Sequence, residues 1–320
     1  AAANGDGGKV ICWGDNLNCF YGQVEAKGGL LSGSWGFVEV SCPLYLDFHG
    51  RVNTMAYNGP TGTLLLDPWN VNLSSDASSG GAWDGGDPTN TFTPTTTATV
   101  NVDEIVTNLG STNVEINTGS TGVASGNITV SNDITWDTAN GLTLLANNMV
   151  SVSANVICTS TGSITMTGNG NSAAAYGVYL AGYTVSSNGG NITLYGVGVS
   201  FATYITATAI VSTTGNGNIE ITGINTTDGG ATSYLLGIYF RITSTISAEN
   251  GNITLNGTGG ISSGGNNHGI YAYYGSLITT ASGSGSISLN GTAHSNGNGI
   301  MLYGCSASTN SGDVTVTANN

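Results

Sequence analysis

Charge is what this chain lacks most: Asp, Glu, Lys and Arg make up 7% of its 320 residues, against roughly 25% in an average soluble protein. Amphipathic helices usually carry Glu and Lys on their exposed faces, so a mainly helical fold is disfavoured. Strong bases are scarcest, limited to Lys9, Lys27, Arg51 and Arg241, and the formal net charge is −14. Such a surface repels a phosphate backbone, which argues against a nucleic-acid partner. Proline is down to five residues, so this is not a Pro-rich stalk. No stretch has the length of uninterrupted apolar sequence that a transmembrane helix needs. The opening Ala1-Ala2-Ala3-Asn4-Gly5 is neither basic nor an apolar signal core. Export therefore calls for a signal already removed or lying upstream.

Cysteine is also sparse. Cys12, Cys19, Cys42, Cys158 and Cys305 form no CxxC pair, so a zinc or iron–sulfur site has no support. Their odd number leaves one thiol over in a monomer. Two readings stay open for Cys12, Cys19 and Cys42: one disulfide between neighbouring turns, or small apolar filling of an interior.

What the chain has instead is glycine, 51 residues of it, with abundant Ser, Thr and Asn. Its surface must be covered by hydroxyls and amides, which suits short strands and turns. Regularly spaced aliphatic residues argue against disorder.

Those aliphatics recur within a repeat. Gly8-Lys-Val-Ile-Cys12 and Phe20-Tyr-Gly-Gln-Val24 return 28 residues later as Gly36-Phe-Val-Glu-Val40 and Phe48-His-Gly-Arg-Val52, and a further turn begins at Gly62-Thr-Leu-Leu-Leu66. A second series runs Gly126-Asn-Ile-Thr-Val130, Gly162-Ser-Ile-Thr-Met166, Gly190-Asn-Ile-Thr-Leu194 and Gly217-Asn-Ile-Glu-Ile221. It continues through Gly251-Asn-Ile-Thr-Leu255, Gly285-Ser-Ile-Ser-Leu289 and Gly312-Asp-Val-Thr-Val316. The motif is fixed while the interval varies, as in stacked coils with unequal loops. A companion strand appears as Gly177-Val-Tyr-Leu180, Gly198-Val-Ser-Phe201, Gly237-Ile-Tyr-Phe240, Gly269-Ile-Tyr-Ala272 and Gly299-Ile-Met-Leu302. A weaker third follows around Val185, Ile210, Ile246, Ile278 and Ala307.

Side chains alternate across a strand, so stacking the turns has a definite consequence. Ile164, Ile192, Ile219, Ile253, Ile287 and Val314 form one interior column, and Met166, Leu194, Ile221, Leu255, Leu289 and Val316 the next. Thr165, Thr193, Glu220, Thr254, Ser288 and Thr315 line up outside. The fold expected is all-β, a single right-handed parallel β-helix over residues 1–320 with about eleven three-strand turns. Residues 1–73 supply its N-terminal turns, 74–99 a long outward loop, and 100–320 the remaining turns. Apolar spacing of three and four residues from Val102 to Leu109 predicts one short helix.

The segments Val10-Ile-Cys-Trp-Gly-Asp15, Gly22-Gln-Val-Glu-Ala-Lys-Gly-Gly29, Gly36-Phe-Val-Glu-Val-Ser41, Gly62-Thr-Leu-Leu-Leu-Asp-Pro68, Asn113-Val-Glu-Ile-Asn-Thr-Gly119 and Leu142-Thr-Leu-Leu-Ala146 resemble the β-helix of filamentous haemagglutinin-like exoproteins. The resemblance covers about half the chain closely and the rest by repeat style. It implies secretion through an outer-membrane partner and service at the cell surface of a Gram-negative-type bacterium as an adhesin. The partners implied are glycans or proteins of a host or neighbouring cell.

Candidate chemistry is thin. Glycosidic hydrolysis needs carboxylates converging on one face, yet no Asp-Asp pair occurs, and the closest acids are Asp76, Asp84 and Asp87 in the expected loop and Asp103-Glu104 in the expected helix. Arg51 and Arg241 lie many turns apart, too far to act together as lyase bases. Asp84 and Asp87 are weak calcium candidates lacking the regular Asp–Gly spacing of known calcium loops. His49, His268 and His294 are isolated and read as surface or turn residues. Asn-X-Ser/Thr sequons at Asn127, Asn191 and Asn252 arise from the strand consensus itself. Thr columns suggest an ice-binding lattice, which Glu220 interrupts. No cofactor and no enzymatic activity are expected.

Tyrosine is the exception, with eleven of fourteen falling between Tyr176 and Tyr303. Alternation places Tyr179, Tyr239 and Tyr271 in one outward row, with Ser200 and Met301 at the intervening and last turns, and Arg241, Tyr273 and Tyr303 in a second. Such a strip either stabilises the sheet by stacking or binds sugars or a neighbouring fibre. The leading expectation is a non-enzymatic adhesin or rod-like surface protein. The alternatives are a self-assembling filament subunit that binds copies of itself and, third, a polysaccharide-acting enzyme.

Overall fold

The computed structural model describes residues 3–14, 18–20, 22–34, 36–41, 46–48, 51–54, 63–65, 70–83, 89–118, 126–170, 176–228, 234–280, 283–294 and 296–320. The fold is almost entirely β, and most strands pair in parallel with the equivalent strands of the windings before and after, as in a solenoid. The chain divides into two compact units: Ala1–Ile128 with Asn140–Asn147, and Thr129–Ala139 with Asn148–Asn320.

In the first unit the 28-residue offset is a strand register. Lys9–Trp13 pairs with Phe37–Ser41 starting at Lys9↔Phe37, and Phe37 in turn pairs with Thr63. Asn18–Phe20 pairs with Leu46–Phe48, and Gln23–Glu25 with Arg51–Asn53, at the same offset. Val71–Ser74 lies parallel to the end of the long strand Thr89–Asn101, whose start lies parallel to Asn113–Asn117. Asn113–Asn117 then pairs with Leu142–Ala146.

Within the loop expected over residues 74–99, two strands form, while residues 84–88 lie outside the described residues. Ser79–Trp83 runs antiparallel to Thr89–Asn101, with Phe92 opposite Trp83. Thr at alternate positions in Thr89-Asn-Thr-Phe-Thr-Pro-Thr favours extended backbone. Phe92, Ala98 and Val100 bury their side chains, and the pairing shifts register between Pro94 and Thr99 because proline cannot donate to a ladder.

The short helix forms over Val102–Leu109 as expected. The Asn101 side chain accepts from the Asp103 and Glu104 amides at its N-terminus, and Val102, Ile105 and Leu109 face inward. Glu104 accepts from the Trp83 indole N–H and from the Ser78 hydroxyl, the latter at 2.6 Å, tying the helix to the hairpin.

The second unit has three parallel faces. The first contains Ile164–Gly168, Ile192–Gly198, Ile219–Asn225, Ile253–Thr258, Ile287–Thr292 and Val314–Asn319. Its registers place Ile164, Ile192, Ile219, Ile253, Ile287 and Val314 in one column and Met166 through Val316 in the next. Both columns are buried as far as Ile287 and Leu289, whereas Val314 and Val316 are exposed. Each buried aliphatic side chain is worth about 1.5–3 kcal/mol, and the windings above and below supply the cover.

The second face contains Tyr176–Ala181, Phe201–Thr206, Leu236–Arg241, Ile270–Tyr273 and Ile300–Tyr303. Here the structure corrects two expectations. The winding expected from Gly198-Val-Ser-Phe201 is formed by Phe201–Thr206, so Tyr204, not Ser200, pairs with Tyr179 and Tyr239. On the third face, running from Ile134–Trp136 to Ser306–Thr309, Val211 joins the Val185–Ile246 column, while Ile210 pairs with Thr184 and is exposed.

A steric rule joins the first two faces. Gly168, Gly196, Gly223, Gly257 and Gly291 are register partners. A Cβ on any of them would lie 1.9–2.1 Å from the carbonyl oxygen of Gly177, Ala202, Gly237, Gly269 or Gly299, respectively. The chain crosses itself too closely there for a Cβ on this column of glycines. Ala202 replaces glycine on the far side of one crossing, which is why a search for Gly-headed companion strands misses that winding.

On the outside, asparagines bind winding to winding. Asn191 Oδ1 accepts from the Asn218 amide at 2.9 Å, Asn218 Oδ1 from Asn252 at 2.8 Å, and Asn252 Oδ1 from Ser286 at 2.9 Å. The Ser286 hydroxyl oxygen then accepts from Asp313 at 3.1 Å. The sequon residues Asn191 and Asn252 thus have a structural use for their carboxamides.

Candidate functional site

The outward side of the second face carries the aromatic residues. Alternation turns Val178 and Leu180 inward and Tyr179 outward, and the same parity holds for Tyr204, Tyr239 and Tyr271. Parallel registration then stacks these rings. Tyr204 and Tyr239 have centroids 5.0 Å apart with planes 7° from parallel, Tyr239 and Tyr271 5.2 Å and 4°, and Tyr179 and Tyr204 5.4 Å. Tyr176 and Phe201 flank the stack, at 5.1 Å from Tyr179 and 5.0 Å from Tyr239 respectively. Tyr204 and Tyr239 consequently keep only 8% and 9% exposure despite pointing outward.

This packing decides what the row can do. Ring faces turned towards one another cannot also lie against a ligand, so Tyr204 and Tyr239 serve to stabilise a ladder that the half-buried Tyr179 and Tyr271 close at its two ends. Burial pushes Tyr239 up to about 12, with the neighbouring Tyr204, Tyr271 and Tyr234 phenols adding to the shift and Arg241 opposing it. Burial also raises Tyr176 and Tyr271.

The second row behaves differently. Arg241 pairs with Tyr273, and Tyr273 with Tyr303, as the spacing predicts. Tyr273 and Tyr303 stack at 5.3 Å, but Tyr303 remains 56% exposed, and the adjoining Tyr274 is 65% exposed. Strict alternation would send Tyr274 inward. The strand ends at Tyr273, however, and Tyr274 takes a left-handed backbone with φ of 64°, which swings the ring out. Tyr274 and Tyr303 line an apolar cleft of about 320 Å³ with Thr243, Gly275 and Gly304.

Of the tyrosines proposed from sequence, Tyr179, Tyr239 and Tyr271 therefore belong to the ladder, while Tyr273 leads to an exposed corner that includes Tyr303. Tyr204 and Tyr274 were not singled out. The first is hidden by the Ala202 substitution at the crossing and the second by a conformation that alternation cannot foresee.

Other candidates resolve separately. His268 is buried, not a surface or turn residue: its Nδ1 accepts from the Asn298 amide at 2.9 Å, its ring lies 5.2 Å from Tyr271, and burial lowers its pKa. Cys158 is buried in an interior column, its thiol donating to the Thr138 and Ser160 carbonyls. Asp84, Asp87, Cys42 and His49, with the side chain of Cys19, lie outside the described residues, so the calcium site and a disulfide among Cys12, Cys19 and Cys42 do as well. Among the described residues no three His, Cys, Asp or Glu side chains gather as a metal site. No protein-family model, curated protein or solved structure matches this chain.

Proposed function

We propose that this protein is an extracellular, non-enzymatic adhesive solenoid whose second unit presents a tyrosine-rich corner to glycans on another surface. The observation that carries this reading is the pairing of a packed Tyr179–Tyr204–Tyr239–Tyr271 ladder with exposed Tyr274 and Tyr303 beside it. Large aromatic rings left in water next to a packed support are the usual form of a recognition surface. The low charge and the resemblance of the repeats to filamentous haemagglutinin-like exoproteins point the same way, towards a secreted cell-surface protein.

The test is binding of the purified chain to a broad glycan panel and to cells, compared with a Tyr274→Ser/Tyr303→Ser variant. Binding by the parent that falls at least tenfold in a variant of unchanged thermal stability supports the reading. Absence of binding throughout overturns it. Depolymerisation of a panel glycan overturns it in favour of an enzyme, and filaments of the chain alone by electron microscopy, with no glycan bound, in favour of a self-assembling subunit.

A further inference from the structure

The corner beyond the second face holds a feature that generic adhesion does not call for. Arg241 is the only Lys or Arg in the chain after Arg51, within a protein of net charge −14. It is exposed at the end of Leu236–Arg241, in register with Tyr273 and, one winding further, Tyr303. Among the described residues it has no carboxylate partner. Its guanidinium donates to the Tyr204 phenol oxygen, and the other groups close enough to act on its charge are the Tyr239 and Tyr273 phenols. A guanidinium has five N–H donors in a planar fork, so one bond to a phenol leaves the pair that grips a carboxylate.

The backbone beside Arg241 follows the turn that recurs at this corner. Ile242 and Thr243 both adopt left-handed conformations, with φ of 57° and 51°, where the later windings place Tyr274 with Gly275 and then Gly304. The same left-handed turn occurs at Gly182 and at Ala207 and Thr208 in the windings before, so it is the recurring corner of the solenoid, here built from two β-branched residues. Its effect is to leave Ile242 42% exposed next to Arg241 and to continue the apolar ridge into Tyr274 and Tyr303. The cleft between these windings is open at Gly304, where an added Cβ would meet nothing within 4 Å.

We propose that this corner binds an acidic glycan, with the apolar face of a pyranose against Tyr274 and Tyr303 and the carboxylate of a neighbouring sugar on Arg241. The proposal rests on the adhesive reading and narrows its ligand to sugar acids. Tyr274 and Tyr303 lie one and two windings beyond Arg241 and Tyr204 one winding before it, so at ~4.8 Å per winding the guanidinium and the two rings are two to three rungs apart, within the span of a short oligosaccharide. An acidic peptide fits less well. Strand addition needs free backbone groups, but the corner's amides already bond along the axis: Ile242 to Tyr273, Thr243 to Tyr274, Tyr274 to Tyr303 and Gly275 to Gly304. What remains for recognition is aromatic surface and one cation.

The experiment is titration calorimetry of the full chain with a short oligogalacturonate and with its methyl ester, at physiological salt so that the protein's overall negative charge is screened. The oligogalacturonate should bind tighter than the ester by about tenfold, the weight of one charge-assisted bidentate contact. Arg241→Gln should remove that difference while leaving ester binding and melting temperature unchanged, and Tyr274→Ser should weaken both ligands. Equal binding of acid and ester, or a preference unaffected by Arg241→Gln, overturns the sugar-acid assignment and leaves the adhesive reading standing. Binding of neither ligand, with adhesion still present in the broad panel, also overturns the assignment. Loss of all binding in both assays sinks the adhesive reading itself.

Discussion

The first and second faces of the second unit solve one problem in two ways. Both must hold equivalent residues of successive windings in register. The first face and its leading turns do so with a ladder of carboxamides, from Asn191 through Asn218 and Asn252 to Ser286. The second does so with stacked phenols, Tyr179 through Tyr271. An amide ladder is directional and leaves little apolar surface in water. A phenol ladder buries area and, where it ends, leaves large rings exposed. The candidate site lies on the second face because only that kind of ladder has an apolar remainder.

The comparison can be broken at graded points. The largest effect should come from the crossing shared by both faces. Gly257→Val forces a side chain against the Gly269 carbonyl, 2.1 Å from the added Cβ, and should cost about 4 kcal/mol or more in urea unfolding. Next is the common interior, where Leu255→Ala should cost about 3 kcal/mol through the cavity it leaves in a fully buried column. The phenol ladder follows. Tyr239→Ser removes two near-parallel ring contacts and should cost about 2 kcal/mol, while the amide ladder loses about 1 kcal/mol in Asn252→Ala. Tyr274→Ser should change stability by less than about 0.5 kcal/mol, because that ring is 65% exposed.

The two ladders also differ in their response to pH. Tyr239 ionises near 12 in the folded chain against an ordinary value of 10.0. A raised value means the fold favours the neutral phenol, so this contribution is complete below pH 10 and is lost as pH rises towards 12. Tyr239→Phe should flatten that alkaline decline in a melting-temperature profile, whereas Asn252→Ala should leave its slope unchanged. His268 works in the opposite direction. Burial lowers its pKa from 6.5, so its contribution is complete above pH 6.5 and is lost as acid protonates the unfolded chain first.

Much of the fold was legible because one short pattern repeats. Ile192, Ile219 and Ile253 occupy one column since Gly-Asn-Ile-Thr/Glu fixes strand start and side-chain parity together. The same logic placed Glu220 outside and Met301 opposite Tyr271. It failed where the letter at a repeat position changes, as with Ala202 on the far side of a glycine crossing. Along Thr89–Asn101 the alternating Thr builds a strand where a loop is expected. The site was legible as a tyrosine surplus, but its division was not. Whether a ring is covered depends on the ring one winding away, and Tyr274 depends on a backbone angle that no alternation rule supplies.

Tyrosine nitration of the native chain, mapped by peptide mass spectrometry, tests that division most directly. Tyr274 and Tyr303 should react first, with Tyr204 and Tyr239 protected until the chain unfolds. Modification of Tyr239 as fast as Tyr274 under native conditions would contradict the separation of a structural ladder from an open corner.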